Sequence, residues 1–260
     1  MSDISKSAKI NLNNNYLRQL NDLNKMFSGI KYLRLDYNLI ESIEPHFVQS
    51  KFVRLLSLKG NRIRNFHLNS NTLVQLQYLD LSNNILSNVK IQDISDFELR
   101  LTGNPNDFEL ECYTQLMDLR FNRLQSHQVA QKKISTAILL LDYNLLDDLQ
   151  FLSAKQYLNK LKSLSCSHNL IRTINDDFFA SAINLEKLDL SYNCIDYLPN
   201  DFLNSKHTIS HVNLSFNMIT AVSPGSFNNM FGLQDLSLFG NPITEIPYGF
   251  LYLSSQLKSL

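Results

Sequence analysis

Asparagine recurs along this chain at nearly constant spacing, always in the same apolar frame. The frame is L-x-x-L-x-L-x-x-N-x-L. Clear copies are Ile30-x-x-Leu33-x-Leu35-x-x-Asn38-x-Ile40 and Leu185-x-x-Leu188-x-Leu190-x-x-Asn193-x-Ile195. The asparagines in frame are Asn15, Asn38, Asn61, Asn84, Asn104, Asn122, Asn144, Asn169, Asn193, Asn217 and Asn241. Their spacings are 23, 23, 23, 20, 18, 22, 25, 24, 24 and 24 residues. A chain built this way stacks one short unit on the next and does not close around a single central core.

Period-two alternation in x-L-x-L-x specifies a short strand whose leucines share one face. Stacked copies give a parallel sheet with its leucines inward. The asparagine falls where each coil leaves the strand. Its amide carries both donors and acceptors, so it can satisfy backbone groups that the turn would bury unpaired. Repeated, the eleven asparagines form a ladder through the stack.

This frame, over almost the whole chain, resembles the leucine-rich-repeat superfamily. Later in several repeats an apolar residue is followed by phenylalanine: Ile43 and Phe47, Ile174 and Phe178, Leu198 and Phe202, Val222 and Phe227, Ile246 and Phe250. Proline is often nearby, at Pro45, Pro199, Pro224 and Pro247. That pattern resembles the "typical" subtype found in animal extracellular proteins such as Toll-like receptor ectodomains and insect immune or adhesion proteins. The resemblance implies an α/β-class, right-handed solenoid with a parallel concave sheet and an irregular or short helical convex side. It also implies partner binding by a non-catalytic module of an extracellular recognition, adhesion or innate-immune protein. Two other settings fit the same residues: an intracellular, cytoplasmic scaffold, or a regulatory repeat domain of a larger enzyme or receptor.

Residues 1–7 read as a disordered leader and 8–260 as the solenoid. The frame is irregular over 85–136, where the phenylalanine is lost and Gly103-Asn104-Pro105-Asn106 reads as a turn. Either the sheet bends there, or Asn104 lies outside the repeat on a bulged loop. Leu257-Lys258-Ser259-Leu260 matches the opening of a truncated twelfth repeat, as expected of a fragment.

Charge is balanced, 24 basic against 24 acidic residues, which argues against a nucleic-acid footprint. No apolar run reaches the roughly 18 residues of a membrane span. Dinucleotide, phosphate-loop, zinc-protease, nucleophile-elbow and calcium-loop motifs are missing from the sequence, so neither an enzyme nor a cofactor is expected. His207 and His211 are four apart, a helical metal-ligand spacing, but His211 falls on a strand, so no metal is expected. Ser163, Ser165, Ser167 and His168 cluster on the outer face or its rim, where serines are common in the repeat. Cys166 takes an inward position as a small hydrophobe, while Cys112, Cys166 and Cys194 do not make a disulfide framework. Asn213-Leu214-Ser215 is a glycosylation sequon at an outward strand position.

The outer-face position just before each frame asparagine reads Asn14, Tyr37, Gly60, Asn83, Gly103, Phe121, Tyr143, His168, Tyr192, Phe216 and Gly240. Phe121, Tyr143, His168, Tyr192 and Phe216 thus place a ring on five successive coils. Two roles suit such a column: a stripe that binds a partner, or rings that cover the edge where strand becomes turn. Other outer positions mix signs, which favours a protein partner on the concave face.

Overall fold

In the computed structural model, the x-L-x-L segments form short strands whose leucines lie side by side in register. The structure describes residues 8–20, 29–43, 52–68, 73, 75–92, 94, 96–153, 159–179, 181–200, 202–203, 208–227, 230–251 and 254–259. The leader at 1–7, Pro45, Phe47, His207 and Leu260 lie outside them. Two compact units are present. One runs to Asn122 and includes Lys132–Ile134; the other comprises Arg123–Gln131 and Ser135–Leu260.

The first unit contains β1 (Ala8–Asn11), β2 (Ile30–Arg34), β3 (Leu55–Ser57), β4 (Asn65–Leu68), β5 (Tyr78–Asp80), β6 (Asn88–Ile91), β7 (Glu98–Arg100) and β8 (Glu109–Asp118). Strands β1, β2, β3, β5, β7 and β8 pair in that order, all parallel. Their register aligns Leu33, Leu56, Leu79, Leu99 and Met117, each at most 3% exposed. Full burial of such side chains is worth about 1.5–3 kcal/mol each.

A second strand row was not expected from the sequence. Strand β4 pairs with β6, and β6 with the first residues of β8. The ten-residue β8 therefore serves both rows, its start beside β6 and its end beside β7. This accounts for the short spacings around Asn104 and Asn122: the chain returns as strand, with no room for the phenylalanine turn. The bulged-loop alternative for Asn104 fails, because its Nδ2 donates to Leu81 O at 3.0 Å and Leu101 O at 2.8 Å, as its neighbours in the frame do. Cys112, on β8, is fully buried, and burial pushes its thiol well above the usual range.

The second unit holds the Ser135–Leu140 part of β9 (Lys133–Leu140), then β10 (Ser163–Ser165), β11 (Lys187–Asp189), β12 (Tyr197–Leu198), β13 (His211–Asn213), β14 (Ala221–Val222) and β15 (Asp235–Ser237). Strands β9, β10, β11, β13 and β15 are parallel, aligning Leu139, Leu164, Leu188, Val212 and Leu236. Strands β12 and β14 make a small second row, and Ser259 bridges Asp235. Helix is scarce among the described residues: α1 (Ser126–Ala130) and 3-10 turns at Gln150–Ser153 and Asp176–Phe179. The return side is thus partly strand, more regular than the irregular or helical side expected.

Behind the sheet runs a phenylalanine spine, Phe179, Phe202, Phe227 and Phe250, packed edge to face at 6.3, 6.0 and 5.8 Å. The sequence pointed to Phe178 at the first position. The structure corrects this to Phe179: the 3-10 turn over Asp176–Phe179 carries Phe178 to a half-exposed position and Phe179 inward.

Lys132 is buried in the first unit. Its Nζ donates to Phe108 O at 2.5 Å and lies 4.1 Å from the Phe108 ring centroid. Burial lowers its pKa to about 8. An unfolded lysine titrates near 10.4, so between these values the unfolded chain binds more protons than the folded one. Stability should therefore rise as pH climbs from about 8 towards 10.4. Urea unfolding of the native chain should show this gain, and the Lys132→Met variant should lack it. Identical pH slopes in the two would remove the lysine's contribution.

Candidate functional site

All eleven residues that precede a frame asparagine have positive φ, between 52° and 73°. A left-handed residue turns the chain off the strand, and asparagine follows to collect the freed backbone groups. Glycine occupies three of these positions and asparagine two, residues that reach this region at little cost. Six carry rings: Tyr37, Phe121, Tyr143, His168, Tyr192 and Phe216. An ordinary side chain in this conformation costs roughly 1–2 kcal/mol, so something must offset it at the ring positions.

In the second unit the offset is visible. Tyr143 stacks on His168 at 4.2 Å and 9° between planes. His168 stacks on Tyr192 at 4.2 Å and 10°, and Tyr192 on Phe216 at 4.4 Å and 16°. Stacked pairs contribute about 0.5–1.5 kcal/mol beyond area burial. Phe239 extends the row, edge-on to Phe216 at 5.2 Å; it stands one residue before the left-handed position, so counting register misses it. The rings lie over the next coil's backbone: a Cβ at Gly240 would meet Phe216 at 2.7 Å, and one at Gly60 would meet Tyr37 at 2.5 Å. Of the five rings expected to form one stripe, Tyr143, His168, Tyr192 and Phe216 form a stack in this unit. Phe121 belongs to the first unit and is half exposed.

The asparagines make regular bonds. Asn193 Nδ2 donates to Leu190 O at 3.0 Å in its own coil and Cys166 O at 2.9 Å in the previous one, and its Oδ1 accepts from Ile171 N at 3.0 Å. Asn169, Asn217 and Asn241 repeat this pattern in the second unit. Asn38, Asn61 and Asn84 repeat it in the first. Asn144 bonds to Leu141 O and accepts from Leu124 N. Asn122 bonds to Leu119 O and accepts from the Asn104 backbone at 2.6 Å, a position shifted by the short repeat. Asn15 is exposed and holds only local carbonyls, Leu12 O and Asn13 O.

On the outward sheet face, carboxylates organise hydroxyls. Asp142 accepts from Ser165 Oγ, from Ser167 N at 2.8 Å and from Ser167 Oγ at 2.9 Å. Asp189 accepts from Ser191 N at 2.9 Å, Ser191 Oγ at 2.7 Å and Asn213 Nδ2 at 3.3 Å. In the first unit Asp118 pairs with Arg120 at 2.8 Å; burial alone would raise its carboxyl, but the Arg120 hydrogen bonds and charge outweigh it and hold it below the ordinary range. Tyr78, whose hydroxyl donates to Asp80 at 3.1 Å, is pushed up to about 12 by burial and by that carboxylate.

Ser165 and Ser167, two of the serines singled out in the sequence, are thus Asp142's donors, while the His168 ring stacks between two tyrosines. Another chain of bonds does link Ser210 Oγ to His211 Nδ1 at 2.7 Å and His211 Nε2 to Asp235 Oδ2 at 2.9 Å. The N–H groups of Ser210 and His211 both go to Glu186 O, so neither is free to stabilise an oxyanion. Among the described residues no group of three His, Cys, Asp or Glu could hold a metal ion. Asn213 is half-buried in β13, its amide engaged by Asp189 and Ser215 N. All three cysteines are free thiols. Cys166 is fully buried, and burial, with Asp142 and Asp189 nearby, raises its thiol well above the usual range. No helix among the described residues is long and apolar enough to cross a membrane.

A leucine rich repeat family model matches residues 159–208 and 183–243, and a second matches 75–97. No curated protein matches the chain in sequence. Among solved structures it is similar to Drosophila Toll in the Toll–Spätzle complex, at 21% identity and a TM-score of 0.68, over 97% of this chain and 35% of Toll's. The chain thus spans about a third of Toll's length. It is also similar to an internalin (inlF) of Listeria monocytogenes, at 18% identity and a TM-score of 0.53, over 96% of this chain and 85% of the other. The leucine-rich-repeat domain of APL1B gives 20% identity and a TM-score of 0.59, covering 92% and 78%. Frame, parallel strand rows, asparagine bonds and family models agree on the fold: the chain is built as a leucine-rich-repeat solenoid.

Proposed function

We propose that this chain is a non-catalytic recognition module that binds a protein partner on the outward face of its sheet, within an extracellular recognition, adhesion or innate-immune protein. The observation that carries the reading is the ring row. Tyr143, Tyr192 and Phe216 keep 40–46% of their surface exposed while stacking fixes their orientation. Rigid, part-exposed aromatics lose little entropy on binding and act as anchors. The neighbouring columns mix signs, with Arg34, Lys59, Arg100 and Arg120 beside Asp36, Asp80 and Asp118 in one unit, and Lys187 beside Asp142, Asp189 and Asp235 in the other. That suits a protein surface better than a polyanion. The extracellular setting draws on the likeness to Toll and APL1B; antibodies to the chain should stain unpermeabilised cells or the surrounding fluid, and staining only after permeabilisation overturns it.

Site-specific photo-cross-linkers test the face. Placed at Ser163, Lys187 and His211, they should capture protein from extracellular fluid, and one at exposed Asp177 on the return side should not. Equal capture from both sides overturns the assignment. Ring variants separate anchoring from folding. Tyr192→Ala removes the ring and keeps the left-handed strain, so it should cost about 1–2 kcal/mol of stability; Tyr192→Gly relieves the strain and should cost less. Both should weaken capture of the folded protein. Loss of stability with full capture would make the row a packing device.

A further inference from the structure

One position past each frame asparagine, a second column runs beside the rings. In the second unit, between exposed Arg123 at one end and Pro242 at the other, it reads Leu145, Leu170, Cys194 and Met218. Leu145, Leu170 and Met218 are 41–56% exposed, although apolar. Only the inward asparagine separates the two columns, so Tyr143, His168, Tyr192 and Phe216 with these four residues make one continuous apolar lane. Its margins are acidic. Asp147 and Asp196, both exposed, lie on the far side with Arg172 between them; on the sheet side Asp189 is part-exposed, while Asp142 is buried beneath its serine bonds. The first unit has no such lane: the equivalent positions carry Gly60, Asn83, Gly103 and Arg62.

We propose that this lane is the docking site for an amphipathic helix of another protein, apolar on the face that meets the rings and basic along both margins. The inference rests on the recognition reading above and names the partner's chemistry. Successive rings are 4.2–4.4 Å apart, so the row matches two to three turns of helix at about 5.4 Å per turn. Apolar residues at i, i+3, i+4 and i+7 would cover it. Lysines or arginines flanking that face would meet Asp147 and Asp196 on the far side and part-exposed Asp189 on the sheet side. The exposed apolar area is on the order of 500 Å², the size of patch that monomers keep for use. It is smaller than the roughly 800 Å² per partner of a standard interface, which favours a short segment over a second copy of this chain.

Three synthetic peptides on the full chain test this by fluorescence anisotropy: a 14-residue helix with leucines on one face and lysines at its margins, a scrambled isomer, and a glutamate-for-lysine version. The first should bind saturably, at least tenfold tighter than the others. Leu170→Asp and Met218→Asp should each weaken it tenfold or more, with Met218→Ser as a milder variant and melting curves confirming the fold. Ile85→Asp, at the equivalent exposed position of the first unit, should leave it unchanged. Equal binding of all three peptides, or no loss in the lane variants, overturns the proposal. So does a lane-dependent dimer in sedimentation, which would give the lane to a second copy, or lane-dependent association with phosphatidylcholine vesicles. If the peptides fail while cross-links still fall on the sheet face, the recognition reading stands and this inference alone is lost.

Discussion

Replacing Phe202 by alanine should destabilise the second unit by about 3–5 kcal/mol, the usual cost of removing a buried aromatic. Phe202 is 1% exposed and packs edge to face against both Phe179 and Phe227. Alanine would leave a cavity between two coils that cannot collapse, because each is fixed by its own strand and asparagine. In a stacked repeat the loss acts on nearest neighbours, so hydrogen exchange should quicken first in the coils that hold Phe179 and Phe227. Phe178→Ala should cost far less, since that ring is half exposed. Denaturant midpoints decide it. Similar losses at Phe178 and Phe202 would mean that the spine runs differently.

The same pair of phenylalanines shows where the sequence is legible and where it is not. The strand frame reads directly because inward leucines and the frame asparagine obey a fixed local rule: period two, then a turn. Beyond the asparagine the distance to the next inward residue varies. It is four residues from Leu198 to Phe202 but five from Ile174 to Phe179, and only the 3-10 turn at Asp176–Phe179 sets which ring enters. The return strands had a signal, since Asn65–Leu68 and Asn88–Ile91 alternate exposed and buried residues. It was obscured because the family pattern leads one to expect irregular or helical segments there. The ring column was legible as a column. Its left-handed backbone and stacking were not, because they come from how a ring on one coil lies over the next. That asparagine and glycine share the column with tyrosine is the clue to positive φ, and the exposed apolar column at Leu145, Leu170 and Met218 falls where the repeat tolerates any residue.

Asn193→Ala should cost about 1–3 kcal/mol, and the way the loss divides follows from the bonds. Cys166 O and Leu190 O each receive two asparagine amides. Cys166 O keeps Asn169 and Leu190 O keeps Asn217 when Asn193 is removed. Both carbonyls therefore remain partnered. The Ile171 N–H donates to Asn193 Oδ1 and would be left as the orphan donor. Asn193→Asp reverses the balance. Its carboxylate still accepts from Ile171 N but turns its second oxygen on the two carbonyls. Burial and that repulsion favour the protonated acid, which can donate one hydrogen bond, so the folded pKa should lie above the unfolded value near 3.9. A raised folded pKa gives stability that is full below the unfolded pKa and lost as pH rises through the folded one. The aspartate variant should therefore be less stable at pH 7 than at pH 4, relative to the native chain, and the alanine variant should show no such pH difference. Asn200→Ala, at an exposed residue outside the frame, should cost little at either pH. If Asn193→Ala and Asn200→Ala unfold at the same urea concentration, or the aspartate variant gains nothing on acidification, the asparagine bonds do not hold the stack together.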